Sequence, residues 1–333
     1  MIRRLVIAAV VLTLAFAAAG LLWLHHGLWG VRSPQLVELE IAEGMSARQI
    51  LILLIDEGLL PSEAAGRLYL RAEADGRAMR FGHYVFPSGS RPVDVLEQIL
   101  EGRVEMFSIT VVEGSDAVSI GDQFSELGVG SAADWNALAN RIAWIGQLAP
   151  AAPSLEGFFF PDTYRFAVGI SAPAAARHLV DRFLEVWGEE AGGGTELWGT
   201  PLEVVTMASL VEAETSVPEE RALVAGVFLN RLRRGILLQC DPTVVFALKR
   251  RQEWSGRLLR IHWEVDDPFN TYRYPGLPPG PINSPGRAAL VAALHPEATP
   301  FLYFVARPGG GHAFSRTLAE HNRAVAELLR SRR

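Results

Sequence analysis

The side chain best placed for acid–base chemistry in this sequence is Glu214, which ends an apolar stretch. Residues 204–215 contain neither Gly nor Pro, and the Ala, Leu, Met and Glu among them favour helix, so the stretch predicts a helix. The apolar residues that recur at helical spacing and form one face are Val204, Met207, Ala208 and Val211. Glu214 follows Val211 by one helical turn and continues that face, whereas Glu212 points to a different side.

A carboxyl group at the end of an apolar face is costly to keep ionised. Burial disfavours the anion and raises the pKa of the group, and in this way a glutamate becomes a general acid near neutral pH. Two interpretations of Glu214 therefore remain open on this stretch alone. The residue is either a general acid or a last-turn glutamate that emerges into solvent or pairs with an arginine.

Composition excludes several classes of protein. The 333 residues are 49% hydrophobic, which is enough for one large or two medium domains with apolar cores. The net charge is −6 with mixed signs and no long basic run, which argues against a nucleic-acid partner. The single cysteine, Cys240, excludes an internal disulfide framework. The eight histidines are scattered and form no metal-ligand motif, so we predict neither a metal site nor a cofactor.

The N-terminus predicts a membrane anchor. Arg3 and Arg4 precede an uncharged apolar run, Leu5 to Leu24, of about the length that spans a bilayer. A cleavable signal peptide is the alternative, but the run is longer than the roughly 7–15 apolar residues of such a signal. We expect residues 1–33 to form a cytoplasmic tip, one uncleaved transmembrane helix and a linker. The two arginines predict that the N-terminus stays in the cytoplasm and that the rest of the chain lies outside the cytoplasmic membrane.

Residues 34–105 predict a small α+β module. A strand at 36–41, two helices at 47–57 and 62–74, a strand at 82–86 and a helix at 90–101 follow one another. A strand, a Glu-Gly-Ser turn and a helix recur at about 106–130 with the same spacing of glycines, which indicates a duplicated unit. The pattern resembles LysM-type modules, which bind cell-wall glycans. A structural spacer is the alternative.

Residues 106–333 predict a larger mixed α/β domain that carries polar side chains beside apolar segments. A helix at 218–233 carries Asn230, and Gln239 and Asp241 lie on a turn into the next helix. As an alternative to a functional role, Asp241 caps that helix.

Further along, Asn270 and Tyr272 precede a Pro- and Gly-rich loop at 276–286 that can form neither helix nor sheet. Such a loop is typical of the wall of a cleft. A cluster of aromatic residues with Glu156 and Asp162 at 155–166 suits the faces and hydroxyl groups of a sugar, and the alternative is a hydrophobic loop under the core.

Seven segments of the chain together resemble the endolytic lytic transglycosylases of the MltG, or YceG-like, type. In the family's order they are residues 208–215, 227–232, 238–244, 270–272, 276–282, 301–305 and 311–314. The anchor and the LysM-like module fit the layout of that family. One departure is Cys240, where the family usually has a small hydroxyl residue before Asp-Pro-Thr.

The resemblance implies cleavage of peptidoglycan glycan strands between N-acetylmuramic acid and N-acetylglucosamine, with a product that ends in 1,6-anhydromuramic acid. It places the catalytic acid at Glu214 and implies that Tyr272 assists at the oxocarbenium-like centre. The residues that it makes candidates for binding acetamido and hydroxyl groups are Asn230, Gln239, Asp241 and Asn270. Each of these four has the alternative of a cap or turn residue. The family also suggests a role in ending strand growth, close to peptidoglycan synthases and division proteins.

The predicted fold class is therefore α+β: a transmembrane helix, a LysM-like module and a YceG-like catalytic domain. Two rival functions differ from the transglycosylase in what they need. A hydrolase that uses water would need a second carboxylate, for which Asp162 or Asp241 is available. A non-catalytic wall-binding protein would not need Glu214 next to an apolar face.

Overall fold

The computed structural model describes residues 2–30, 33–191 and 197–331, and its chain divides into two units. The first unit is Met1–Ser108 together with Arg165–Ile170, and the second is Ile109–Tyr164 together with Ser171–Arg333. The return of residues 165–170 to the first unit is absent from the domain boundaries predicted from the sequence. Residues 31 and 32 of the predicted linker lie outside the described residues.

The first unit is built around an antiparallel pair of strands. Its elements are α1 (Ile2–His25), a π-helix (His26–Gly30), β1 (Val37–Ile41), α2 (Ala47–Asp56), α3 (Glu63–Glu73), β2 (Gly82–Phe86) and α4 (Pro92–Glu101). In β1 the residues Val37, Leu39 and Ile41 are buried and the two glutamates between them are exposed, because alternate side chains of a strand point to opposite faces. Val37 lies opposite Phe86 in β2. The predicted order of strands and helices in residues 34–105 is confirmed, and the likeness to LysM modules stays a prediction.

Helix α1 contains the apolar run in which the sequence predicts an anchor. None of the helices among the described residues is both long enough and apolar enough to cross a membrane. The predicted transmembrane span from Leu5 to Leu24 is therefore not confirmed.

The predicted second copy of the small unit has the same order of elements and the same strand pairing as the first. The strand β3 (Met106–Thr110) and the helix α5 (Ala117–Glu126) lie where the sequence predicts them. The turn before each copy's first helix contains a glycine with positive φ, Gly44 at 85° and Gly114 at 78°. β3 pairs with β4 (Thr163–Ala167), and the helices α5 and α6 (Ala132–Ala139) lie between them in the chain, so this copy repeats the strand–helix–helix–strand order of the first, with a longer connection before its last strand.

The second unit is mainly helical. Its further helices are α6 (Ala132–Ala139), α7 (Ala172–Glu190), α8 (Pro201–Glu214), α9 (Arg221–Arg233), α10 (Asp241–Arg250), α11 (Arg287–Leu294) and α12 (Leu318–Ser331). Short 3-10 helices cover Ile142–Ile145, Pro218–Glu220 and Arg260–Glu264. The predicted hairpin is confirmed, with β5 (Tyr303–Ala306) antiparallel to β6 (His312–Ser315). The single helix predicted at 218–233 is instead a 3-10 turn followed by α9.

Helix α8 is the central helix of the second unit. It contacts α9, α10 and α11, and every residue from Val204 to Val211 is buried. The prediction of one apolar face is therefore wrong, because the helix has no face in solvent over these two turns. The two polar residues within it are satisfied by the helix itself: the Thr206 hydroxyl donates to the Leu202 carbonyl and the Ser209 hydroxyl donates to the Thr206 carbonyl.

Candidate active site

Glu214 is the last residue of α8, and local sequence determines both ends of that helix. Thr200 caps the N-terminus in a capping box with Glu203. At the other end Thr215 has an extended backbone, with φ −143° and ψ 129°, and Pro218 follows, so the helix stops. The carboxyl group of Glu214 is thereby held by a rigid and fully packed helix. This is the placement that a precisely positioned proton donor needs.

The carboxyl group of Glu214 lies in a setting that favours its protonated form. Burial raises the pKa of Glu214 above its usual value, and the nearby charge of Asp241 raises it further. A hydrogen bond with the Cys240 thiol and the proximity of His312 act in the opposite direction, but burial prevails. The thiol belongs to the buried Cys240, the position at which the sequence departs from the family pattern. Cys240 is thus a direct partner of the candidate acid.

Glu212, two residues earlier, has different partners. Its carboxylate lies 3.6 Å from the Arg221 guanidinium and accepts a hydrogen bond of 3.0 Å from the backbone N–H of Gly286. Its side chain is only 7% exposed. The two glutamates do face different neighbours, as predicted. Burial raises the pKa of Glu212 as it does that of Glu214, so it is the contacts with Arg221 and with the backbone of Gly286 that indicate a structural role.

A cavity of about 290 Å³ lies beside Glu214. The residues that line it are Glu214, Phe228, Arg231, Leu238, Gln239, Asp241, Tyr272, Tyr303, Phe304, Leu318 and His321. Of the six site residues selected from the sequence, Glu214, Gln239, Asp241 and Tyr272 therefore share one cavity. They come from the end of α8, from the turn before α10 with its first residue, and from the loop before the Pro- and Gly-rich segment.

Asp241 and Tyr272 form one hydrogen-bonded group with Trp263. The Tyr272 hydroxyl donates to Asp241 Oδ1 at 2.6 Å, and the Trp263 indole N–H donates to the same oxygen at 3.1 Å. The rings of Trp263 and Tyr272 stack, with centroids 5.0 Å apart and planes 8° from parallel. Burial and the bond to Asp241 raise the pKa of Tyr272, so its hydroxyl stays protonated and can act only as a donor or a dipole.

Gln239 and Arg231 form a second polar group in the cavity. Gln239 has a left-handed backbone, with φ 50°, and its side-chain oxygen accepts a hydrogen bond of 2.8 Å from Arg231. The guanidinium of Arg231 is buried, donates to the carbonyls of Leu237 and Leu302, and lies 5.4 Å from the ring centroid of Tyr303. Gln239 lines the cavity, and the bond to Arg231 leaves its amide N–H₂ unused, which suits an acceptor on a ligand.

The side chains of the two asparagines selected from the sequence form hydrogen bonds with the backbone of the protein. Asn230 donates to the carbonyls of Thr299 and Phe301, at 2.6 and 3.1 Å. Asn270 is fully buried, donates to the carbonyls of Trp263 and Val265, and accepts from the backbone N–H of Tyr272. Neither lines the cavity of Glu214. These contacts favour the alternative of cap and turn residues over substrate binding, and Asn270 positions Tyr272 through its loop.

Two other carboxyl groups in the second unit lie away from this cavity. Asp162 accepts from Arg182 at 2.9 Å in an ion pair. Glu156 is buried, and both of its oxygens lie 3.1 Å from the backbone N–H of Ala117. Burial raises the pKa of Glu156 to about 8, and the proximity of Asp116 raises it as well. Within the described ranges no group of three or more His, Cys, Asp or Glu could hold a metal ion.

Sequence reasoning gave no role to Arg231 or Trp263, and it did not predict that Cys240 contacts Glu214. Arg231 adjoins Asn230 in a segment selected for its resemblance, but its chemistry received no role. Trp263 lies in a short 3-10 helix with no periodic pattern to mark it. An aromatic residue nine positions before Tyr272 carries no signal, because the loop between them determines whether the rings meet.

The chain is similar to known proteins over most of its length. A profile of the YceG-like family matches residues 39–327. An endolytic murein transglycosylase of Bacillus subtilis is 29% identical over 323 residues, which cover 90% of this chain and 87% of that protein. An endolytic murein transglycosylase of Streptococcus pneumoniae is 26% identical over 333 residues, and the match spans 90% of this chain but only 60% of that longer protein.

A crystal structure of a YceG-like protein from Listeria monocytogenes is also similar. It superimposes with a TM-score of 0.59 and 28% sequence identity. The superposition covers 87% of this chain and 99% of that one.

Proposed function

The chain belongs to the YceG-like family, and on that premise we propose that it is an endolytic murein transglycosylase, a lyase that cleaves peptidoglycan glycan strands without water. One observation carries the proposal. A carboxyl group whose pKa is raised by burial, that of Glu214, lies at a cavity with the polar groups of Asp241, Tyr272 and Gln239. The similar proteins of B. subtilis and S. pneumoniae are named for the same activity.

The reaction needs one group that first gives and then takes a proton. Protonated Glu214 donates its proton to the glycosidic oxygen as the bond from that oxygen to C1 of the muramic acid breaks. The resulting carboxylate takes the proton of the 6-hydroxyl, whose oxygen forms a new bond to C1. One bond is broken and one is formed, Glu214 ends protonated as it began, and no water is consumed. The rigid end of α8 keeps the same carboxyl group near both oxygens.

The oxocarbenium-like centre at C1 carries positive charge, and the Asp241 group is suited to stabilise it. Asp241 supplies the negative charge, and the hydroxyl of Tyr272 and the indole N–H of Trp263 fix one of its oxygens. A charge that is already oriented costs no reorganisation when the transition state forms. Gln239, supported by Arg231, is assigned to the acetamido or hydroxyl groups of the substrate.

A hydrolytic muramidase is the second candidate, and the position of Asp241 favours it. A hydrolase needs a second carboxylate near the acid to act as base or nucleophile. Asp241 lines the same cavity as Glu214, whereas Asp162 does not. The difference between the two functions therefore lies in whether Asp241 activates a water molecule or only stabilises charge.

Analysis of the new glycan ends tests the proposal. Purified peptidoglycan is incubated with the protein and with its Glu214→Gln variant, and the ends are identified by mass. We expect 1,6-anhydromuramic acid ends from the unaltered protein only. Reducing ends would assign the hydrolase instead. The absence of new ends with both proteins would leave a peptidoglycan-binding protein.

Attachment to the cytoplasmic membrane is a further part of the proposal, and its support is the sequence. The apolar run Leu5–Leu24 after Arg3 and Arg4 suits a single span with the second unit outside that membrane. We expect the full-length protein to sediment with membranes and to be released by detergent but not by concentrated salt. Release by concentrated salt would contradict a transmembrane helix at the N-terminus.

A membrane-held endolytic enzyme would meet glycan strands where they are polymerised. We therefore propose that this protein ends strand growth beside the peptidoglycan synthases and division proteins. Depletion of the protein should lengthen the glycan strands of its host. An unchanged distribution of strand lengths would contradict this role.

A further inference from the structure

The cavity of Glu214 does not end at Asp241. A second cavity of about 340 Å³ lies on the other side of this residue, and Ala213, the neighbour of Glu214, lines it too. A third cavity of about 770 Å³ shares Asp116, Phe246 and Lys249 with the second. All three belong to the second unit. Because neighbouring cavities share lining residues, the three lie in a row that leads away from the candidate acid, and we call this row the groove.

Helix α10 forms one wall of this groove along its length. Asp241, its first residue, lines the first two cavities, and Phe246 and Lys249 line the second and third. A helix rises about 1.5 Å per residue, so Lys249 lies roughly 12 Å along the axis from Asp241. The groove is therefore long enough to accommodate more than the sugar at the cleaved bond.

The second cavity contains a buried acceptor that no described residue satisfies. Asn283 is 5% exposed and its Nδ2 donates to the Ser209 carbonyl at 2.9 Å. Its Oδ1 has no hydrogen-bond partner among the residues that the structure describes. A buried acceptor without a partner is costly, so a turn of the Asn283 side chain that brought this oxygen to the cavity and to a ligand N–H or O–H would be favourable. An acetamido N–H or a sugar hydroxyl has this chemistry.

The third cavity combines aromatic faces with amides. Its lining includes Phe246 and Trp254, together with Asn136, Asn140 and Gln252. Aromatic faces suit the C–H face of a sugar ring, and amides can both donate and accept. The lining therefore suits a sugar polymer in the same way as the cavity of Glu214.

The charge of the third cavity favours an anion. Lys249 Nζ donates to Asp116 at 2.6 Å, and the lysine side chain is 47% exposed, so its other N–H groups are available. The remaining carboxyl group in the lining is Glu156. Asp116 balances the charge of Lys249, and Glu156, whose pKa burial raises to about 8, is mostly neutral at pH 7. Arg250, which also lines this cavity, therefore leaves a net positive charge there.

We propose that this groove binds the length of peptidoglycan next to the cleaved bond, and that Lys249 binds a carboxylate of its stem peptide. The protein would then prefer glycan strands that carry peptides to strands that have lost them. This inference rests on the proposed function for the identity of the polymer. It goes beyond that function by naming the part of the polymer that is recognised and the residue that recognises it.

A binding experiment tests this inference separately from catalysis. The full-length protein carries Glu214→Gln, so that strands are bound and not cut, and Lys249→Met is added to remove the charge while keeping the stem. Arg251→Met is the matched control, because Arg251 follows α10, is 43% exposed against 47% for Lys249, and lines none of the three cavities. The ligands are strands with their stem peptides and the same strands after an amidase has removed them.

We expect Lys249→Met to weaken binding of peptide-bearing strands about tenfold, the effect of one charge-assisted hydrogen bond. Binding of peptide-free strands should not change, and Arg251→Met should change neither. Equal weakening for both ligands, no weakening, or no binding of either ligand would overturn the inference. Binding with the expected preference, but no anhydro ends from the unaltered protein, would instead contradict the proposed transglycosylase.

Discussion

Two regions of the second unit each carry a glutamate whose pKa is raised, and they differ in what surrounds its carboxyl group. At the end of α8, Glu214 meets the Cys240 thiol and shares its cavity with Asp241 and Tyr272. Near the start of α5, Glu156 accepts the backbone N–H of Ala117 with both oxygens and faces the far part of the groove. Burial is the leading cause that raises the pKa of both groups.

The two glutamates show that a raised pKa alone does not make a carboxyl group catalytic. A raised pKa supplies a proton near neutral pH, but catalysis also needs a group that stabilises the charge left on the substrate. Glu214 has the Asp241–Tyr272–Trp263 group in its surroundings. Glu156 has instead a contact at the N-terminus of a helix, which is an arrangement for holding the chain together. We therefore expect the first carboxyl group to govern activity and the second to govern stability.

The largest expected effect comes from removing the acid. Glu214→Gln should lower cleavage on the order of a thousandfold, because it removes the general acid and base while keeping the shape of the side chain. Glu156→Gln should keep most of the activity. The measurement is the rate of release of soluble fragments from peptidoglycan by each protein, with circular dichroism as a control of folding. Equal loss of activity in the two variants would contradict the different roles assigned to Glu214 and Glu156.

The second prediction concerns stability and pH. Since the pKa of Glu156 is about 8 when folded and 4.5 ordinarily, the folded state holds a proton that the unfolded chain loses first. The contribution of protonated Glu156 to the free energy of unfolding is fully present below pH 4.5. It declines as the pH rises to about 8, by at most about 4–5 kcal/mol in total. Glu156→Gln should remove this decline, so that the variant is the more stable protein above pH 8. Denaturant unfolding at several pH values measures it, and parallel curves for both proteins would contradict the assignment.

Tyr272→Phe should have a smaller effect on activity. The variant keeps the stack on Trp263 and loses the hydroxyl that donates to Asp241. One hydrogen bond to a charged group is worth about 1.5–3 kcal/mol, so we expect a fall in kcat of about tenfold or somewhat more. Steady-state kinetics on purified glycan strands measures it. An unchanged kcat would mean that the orientation of Asp241 does not matter.

The smallest predicted effect is a shift of the pH profile in Cys240→Ser. A hydroxyl is a stronger hydrogen-bond donor than a thiol, so it should stabilise the Glu214 carboxylate more and lower its pKa. The rate falls as pH rises through the pKa of the acid, so this falling limb should move to lower pH, with a loss of a few-fold at neutral pH. Cys240→Ala should move the limb the other way. Limbs that coincide for all three proteins would exclude the contact with Glu214.

The comparison also shows how far sequence reasoning reaches. The spacing of residues located the helix and its terminal glutamate, although residues 204–211 of α8 are buried on all sides. The hairpin and the strand–helix order of the first unit could be predicted because they depend on local periodicity and turn residues. The pairing of β3 with a strand some fifty residues later could not, because nothing local encodes it.

Amide side chains gave the least reliable predictions. Asn230, Gln239 and Asn270 look equivalent in the sequence, yet only Gln239 faces the cavity. The other two satisfy backbone carbonyls of distant loops. Whether an amide serves the backbone or a ligand depends on tertiary contacts, and the same holds for Trp263, whose stack on Tyr272 forms only after the loop between them has folded.

The central claim is that Glu214 acts alone, as acid and then as base, without water. Cleavage of peptidoglycan in water enriched in oxygen-18, followed by mass analysis of the new ends, tests it most directly. The account predicts anhydromuramic acid ends that contain none of the heavy oxygen, at every pH where the protein is active. Incorporation of one heavy oxygen at each new end would show that water is the acceptor, and Asp241 would then be the carboxylate that activates it.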